Sequence, residues 1–205
     1  EKPARTDKRG KHHRTTSTLT ATGRAMSAFP VDPRLARMII EGSRRDCAKE
    51  MMVLAAALTI QDPRERPAEV RGTADEMHAR FTDDKSDFSS FLLLWQYINE
   101  RQAELSSSQL RKMCHREFIN FLRIREWQDL FAQLREMGRT ANIRVSNGRD
   151  IDASGREVEI HKSLLSGLLS HVGAKEEREK TYGKAPRGPR EYLGARGTKF
   201  AIFPG

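Results

Sequence analysis

The side chains able to do covalent, metal or acid–base chemistry are six histidines, two cysteines and 28 carboxylates. Their spacing assembles no site. His115 follows Cys114, but neighbours on a helix point about 100° apart, so they form no nucleophile–base pair. His12 and His13 are adjacent, yet Lys11 and Arg14 flank them and repel a metal ion. His171, near Gly173, suits the last carbonyls of a helix. Asp83, Asp84 and Asp87 could hold Mg²⁺, although carboxylates at a helix start also act as caps. The chain has no G-x-x-x-x-G-K-[ST] loop, no H-E-x-x-H and no paired C-x-x-C. No catalytic residue, metal site or cofactor site is therefore expected within it.

Phosphate recognition is the chemistry left. Residues 107–149 hold nine Lys/Arg against four Asp/Glu. On one continuous helix from Ser107, Lys112, Arg116 and Arg123 fall within about 40° of one another. Asn120 lies at the edge of that stripe. Leu110, Cys114, Phe118 and Phe121 lie mostly on the other side, so the helix could bury one face and offer the other to phosphates. The alternative is a solvated basic face without a ligand.

The elements that must position these residues are helical. Leu19 to Ala28 reads as a short helix with Thr20 as cap. Asp32-Pro33 reads as an N-cap followed by proline at the first helical position. That helix carries Leu35, Met38 and Ile39 and ends at Gly42-Ser43. Asp46 is expected to open the next one. CAKEMMVLAAALTI is apolar nearly all round, which predicts a central, buried helix ended by Asp62-Pro63. Thr73 to Arg80 reads as a short helix. Ser86 or Asp87 caps another, with Phe88, Phe91, Leu92, Trp95 and Ile98 at spacings of three and four. Ser106 to Ser108 opens a long helix predicted to reach about Met137. Residues 138–157 read as a connector, and Val158 to Val172 as a further helix with Gly173 as its cap. The expected core includes Met52, Leu54, Leu58, Phe91, Leu92, Trp95, Phe118, Phe121, Leu122, Leu165 and Leu168. YLGARGTKFAIFPG at 192–205 reads as a pair of strands, and two strands alone are marginal. The chain is therefore expected to be part of a longer protein.

The net charge of +9 sits at the ends. Residues 1–30 carry seven Lys/Arg against two Asp/Glu, and 174–205 carry eight against four, while 31–173 carry 22 of each. Excess base suggests a polyanionic partner, and basic tails also serve solubility. Residues 1–18 have one apolar residue, Ala4, and read as a mobile basic tail or loop. The longest apolar run, Met51 to Leu58, is too short to span a bilayer. No secretory signal is visible, and two cysteines make no disulfide framework. A cytoplasmic location with reduced thiols is expected.

Two neighbouring segments, LTATGRAMSAFPVDPRLARMIIEG and CAKEMMVLAAALTIQDPRERP, resemble the part of DEAH-box RNA helicases that follows the motor domains. The resemblance is closest to the bacterial HrpA type. It continues through HARFTDDKSDFSSFLLLWQYI, REFINFLRIREWQDLFAQL, HKSLLSGLLSHVG and GARGTKFAIFPG, covering roughly 19–205 in order. It implies a mainly α fold. Residues 19–30 would end a winged-helix domain, and 31–173 would form a helical ratchet, or helicase-associated, domain. Residues 174–205 would be a linker and the first strands of an OB-fold. It also implies a non-motor segment of an ATP-dependent RNA helicase that helps form the single-stranded RNA channel and couples it to the motor. ATP and Mg²⁺ would belong to upstream RecA-like domains of the parent protein, and this segment alone would have no catalytic site. Asn120 falls in an I-N-F step similar to the family's L-N-[FY]. The partners implied are single-stranded RNA and the motor and winged-helix domains, with a regulator or the ribosome as further candidates and no membrane. Read from its residues alone, the chain also fits a stand-alone helical interaction module or a small basic nucleic-acid-binding protein.

Overall fold

The computed structural model describes residues 18–145, 151, 155–175 and 191–202. The expected basic tail lies outside them, apart from Thr18, as do His12 and His13. Eight α-helices come first among these residues and a small sheet comes last.

Helix α1 spans Ala21–Ser27, and the Thr20 hydroxyl accepts from Gly23 N at 3.0 Å. Helix α2 spans Pro33–Arg44. Asp32 caps it by accepting from Arg34 N at 2.8 Å, and Pro33 needs no partner in the first turn. The next turn passes through Asp46 at φ 56°, so Asp46 does not open the following helix. Helix α3 is Ala48–Thr59, and Cys47 stands at its cap position without a side-chain bond. Its residues Met51 to Ala56 are fully buried, because α2, α5, α7 and α8 pack around it.

Helix α4 is Arg71–His78, between 3-10 turns at Ala68–Val70 and Ala79–Phe81. Helix α5 is Asp87–Glu104. Ser86 precedes it but makes no side-chain cap bond; its hydroxyl pairs with His161 Nε2 at 2.7 Å. Helix α6 is Ser107–Arg116, where Ser106 and Gln109 form a reciprocal capping box. Helix α7 is Phe121–Thr140. Helix α8, Glu157–Gly167, is shorter than expected and gives way to a 3-10 turn at Leu169–His171. Gly173 is therefore no helix cap. It passes under the Phe200 ring, where a Cβ would lie 2.5 Å from Cζ. Strands β1 (Ala174–Lys175), β2 (Glu191–Leu193) and β3 (Lys199–Ala201) form an antiparallel sheet in chain order. Ala174 pairs with Leu193, and Tyr192 with Phe200.

The single helix expected from Ser107 to Met137 is two helices. Phe118 adopts φ 54° between them. No glycine or proline marks this break. Long-range bonds hold it instead. Glu65 N donates to Phe118 O and Asn120 N donates to Pro63 O, each at 2.7 Å. Arg64 and Ile119 form an isolated antiparallel bridge. Asp62 organises that loop by accepting from Arg64 N at 2.9 Å and from its guanidinium at 2.8 and 3.1 Å.

The break changes which side chains are buried. Met52, Leu54, Leu92 and Trp95 are in the core as expected. Phe91, Phe118, Phe121 and Leu168 are half-buried. Leu58, Leu122 and Leu165 are exposed, at 40%, 74% and 45%. Leu122 follows the break, so an unbroken 100° progression misplaces it. Trp127, absent from the expected core, is fully buried and donates its indole N–H to Val53 O at 2.9 Å.

Two predictions follow from this packing. Where α8 meets α2, a Cβ on Gly167 would lie 2.5 Å from Arg34 O and 2.7 Å from Met38 Cε. Gly167→Ala should therefore cost about 1–3 kcal/mol in urea unfolding, despite alanine's better helix propensity. Undiminished stability would mean the two helices separate freely. Asp62 supplies the second. Burial raises its pKa, but the Arg64 side-chain and backbone hydrogen bonds outweigh burial and hold it below the usual value. Its contribution is then full above the unfolded pKa, about 3.9, and is lost as pH falls through the folded value. Asp62→Asn should be less stable than wild type at pH 7, and the gap should close below about pH 4. A gap constant with pH would show that charge on Asp62 is irrelevant.

Candidate nucleic-acid interface

The structure divides the expected stripe in two. Lys112 and Arg116 lie on α6 and are exposed. Lys112 has no ion-pair partner among the described residues. The Arg116 side chain is 72% exposed and reaches Glu117 Oε1 at 3.3 Å. Asn120 and Arg123 lie beyond the break. Asn120 caps α7: its Oδ1 accepts from Arg123 N at 3.1 Å, and its Nδ2 donates to Glu65 Oε1 at 2.7 Å. Arg123 is 25% exposed, and its guanidinium donates to Asp62 O at 3.0 Å. Both ends of the Asn120 amide and one arm of Arg123 thus hold the 62–65 loop against the break. The four residues do not share one helix face.

Glu117 fixes where that division falls. It is 6% exposed. Its carboxylate accepts from the Tyr97 hydroxyl at 2.8 Å, from Arg80 Nη2 and from Arg116 Nη2. Its backbone oxygen accepts from His78 Nε2–H at 3.0 Å. Arg80 lies over Phe81 and Tyr97, 4.7 and 4.3 Å from the ring centroids. Burial lowers the His78 pKa, which favours the neutral ring, and its buried Nδ1 has no partner among the described residues. Burial, then the Glu117 carboxylate, raises the Tyr97 pKa. This arrangement anchors: one buried carboxylate ties two guanidiniums and a phenol hydroxyl together. Sequence reading missed Glu117, Arg80 and Tyr97. The one signal was a lone acid between Arg116 and Phe118 in a basic stretch.

The other candidates from the sequence resolve as follows. Asp83 accepts from Lys85 N at 2.9 Å, an ordinary turn bond. No group of three His, Cys, Asp or Glu among the described residues could hold a metal. Cys47 and Cys114 are buried free thiols, and burial pushes Cys114 up to about 11. His171 Nδ1 pairs with the Ser170 hydroxyl at 3.0 Å, not with the carbonyls expected of it. No described helix is long and apolar enough to cross a membrane.

Comparison with known proteins gives the wider frame. Residues 32–120 match the helicase associated domain (HA2), ratchet-like family. Over 186 residues the chain is 46% identical to the ATP-dependent RNA helicase HrpA homolog of Haemophilus influenzae. That covers 91% of this chain and 13% of the relative. Over 187 residues it is 46% identical to ATP-dependent RNA helicase HrpA of Escherichia coli, with the same two shares. It is 30% identical over 165 residues to the pre-mRNA-splicing factor ATP-dependent RNA helicase prp22 of Schizosaccharomyces pombe, covering 80% of this chain and 13% of that protein. The chain thus spans a small fraction of the length of each relative. Four helices packed around a buried α3, a ratchet-type match over 32–120 and this identity agree: the chain is a helicase-associated, ratchet-like region of the HrpA type of DEAH-box helicase.

Proposed function

We propose that this region is a non-motor segment of an ATP-dependent RNA helicase, lining the single-stranded RNA path and coupling it to the motor domains of the same protein. The observation that carries the proposal is the 46% identity, over 91% of the chain, to proteins named ATP-dependent RNA helicases. On this reading the NTP hydrolase activity resides in RecA-like domains outside residues 1–205, and the parent protein works in the cytoplasm. ATP and Mg²⁺ bind there. The chain's own residues do not fit that site, because it has no phosphate-binding glycine loop and no described three-residue metal cluster. Residues 19–30 complete a winged-helix domain, 31–173 form the ratchet domain and 174–205 begin an OB-fold. The antiparallel β1–β3 sheet is consistent with the last of these.

Within this reading, α6 presents Lys112 and Arg116 to RNA phosphates. Asn120 and Arg123 lie off that face and support it indirectly, by holding the 62–65 loop against the α6–α7 break. Contacts to phosphate add affinity without sequence preference. A regulator or the ribosome would use other surfaces.

The test is a Lys112→Glu/Arg116→Glu variant in the longer helicase. Losing two phosphate contacts should flatten the salt dependence of single-strand binding by about 1.4 units, at about 0.7 per contact. Arg123→Glu should instead lower thermal stability through the 62–65 loop. A double variant that folds normally and binds RNA with unchanged affinity and salt slope would show that this face does not meet RNA.

A further inference from the structure

We infer that the groove between α5 and α7 is a binding site for unpaired nucleobases. The inference rests on the reading of the chain as an RNA helicase segment and adds base contacts to the phosphate contacts proposed above. The groove encloses about 570 Å³, and a bay of about 370 Å³ adjoins it, sharing Trp95, Asn99 and Phe131.

Its floor is aromatic and rigid. The Trp95 and Phe131 rings meet edge to face, 4.9 Å between centroids. Trp95 is backed by Trp127 at 5.0 Å, and the backbone of α3 holds Trp127 in turn. Trp95 is only 7% exposed, so Phe131, half-buried, is the more open ring.

Its walls are primary amides. Gln128 Nε2 donates to Gln102 Oε1 at 2.7 Å. That leaves the Gln102 amide N–H and the Gln128 carbonyl without protein partners among the described residues. Asn99 Nδ2 donates to Trp95 O at 2.7 Å, which leaves its own carbonyl oxygen in the same position. Arg135, which has no ion-pair partner among the described residues, and Lys49 also line the groove, together with one carboxylate, Glu100, so its charged groups are net basic.

This combination selects a ligand with three features: a flat face, an edge with both donors and acceptors, and an anionic backbone. An unpaired base on a single strand has all three. An apolar side chain would satisfy the floor but cover the amides, exposed or half-buried in the free groove, without offering them partners. Stacking on a ring tolerates any base, so the groove should favour the presence of bases more than their identity.

The test uses the 205-residue chain and three ten-nucleotide strands: oligoadenylate, oligouridylate and an abasic ribose-phosphate strand. Binding is read by fluorescence anisotropy. The base-bearing strands should bind at least about fivefold tighter than the abasic one, the lower bound for one stacked base. Phe131→Leu keeps an apolar residue while removing the ring, and should erase that preference without changing the abasic affinity. Gln102→Ala/Gln128→Ala, on the groove wall, should reduce the preference and decides the matter if Phe131→Leu fails to fold. Equal affinity for base-bearing and abasic strands overturns the groove site and leaves the phosphate contacts standing. A preference that survives both variants places base recognition elsewhere and overturns it as well. Failure of every strand to bind at low salt removes both the groove and the RNA-path reading for this chain.

Discussion

The buried carboxylate of Glu117 is the constraint on which the arrangement of α6 and α7 depends. A charge out of water must be paired and hydrogen-bonded, or it costs several kcal/mol, roughly. Glu117 is satisfied by Arg80 from the α4 side, Tyr97 from α5 and Arg116 from its own helix. Three elements thereby converge on the last turn of α6. That convergence makes it possible for Phe118 to take a left-handed conformation, which costs a non-glycine residue about 1–2 kcal/mol. The carbonyl of Phe118 and the amide of Asn120 then find partners in Glu65 and Pro63. Asp62, through Arg64, stiffens the same loop. The break is thus a product of tertiary contacts, and it determines which basic side chains face solvent.

Behind this junction the core is built around α3. A helix of alternating Met, Val, Leu and Ala without a polar face can only be enclosed, and small residues on its neighbours let them close in. A Cβ on Gly42 would lie 2.5 Å from Met51 Cγ, and one on Gly138 would lie 2.6 Å from Met52 Cε. α7 contributes Trp127, whose indole N–H satisfies the carbonyl of Val53. Phe91 and Trp95 meet that tryptophan at centroid distances of 6.1 and 5.0 Å, and Phe131 meets Trp95 at 4.9 Å. The aromatic box is therefore both the core of the α3–α5–α7 contact and the floor of the groove that opens above it.

Local signals in the sequence were enough for elements with local causes. Asp32-Pro33 starts α2 because cap and proline act within one turn. The Ser106–Gln109 box starts α6 for the same reason. The α3 helix is legible because its composition leaves no alternative to burial. The α6–α7 break was not legible, since its residues, Glu117 to Asn120, carry no turn chemistry of their own. Its causes lie on a loop more than fifty positions earlier and in Arg80 and Tyr97. From that one error others followed: Leu122 was assigned to the core, and Arg123 and Asn120 to a solvent stripe. Asp46 shows the same limit on a smaller scale. An aspartate before an apolar run reads as an N-cap, yet here it occupies the left-handed position of the turn one residue earlier.

The same distinction applies to charge. A window of nine Lys/Arg against four acids at 107–149 suggests a basic face, but folding assigns several of those cations to partners. Arg116 meets Glu117, Arg123 meets Asp62 O, and Arg139 meets Glu136 at 3.3 Å. Arg111 lies over the Phe121 ring, 5.0 Å from its centroid. Elsewhere Glu41 takes Arg37 and Arg45, and Asp75 takes Arg66. The remainder is what a polyanion would meet, and in it Lys112 and Arg135 have no ion-pair partner among the described residues. Arg116 belongs there too, because a pair at 72% exposure is largely screened by water and salt and yields readily to a phosphate. Arg123, at 25% exposure and bonded to a backbone carbonyl, does not. The excess of base in a sequence thus becomes a binding surface only through the pairings that the fold leaves unmade.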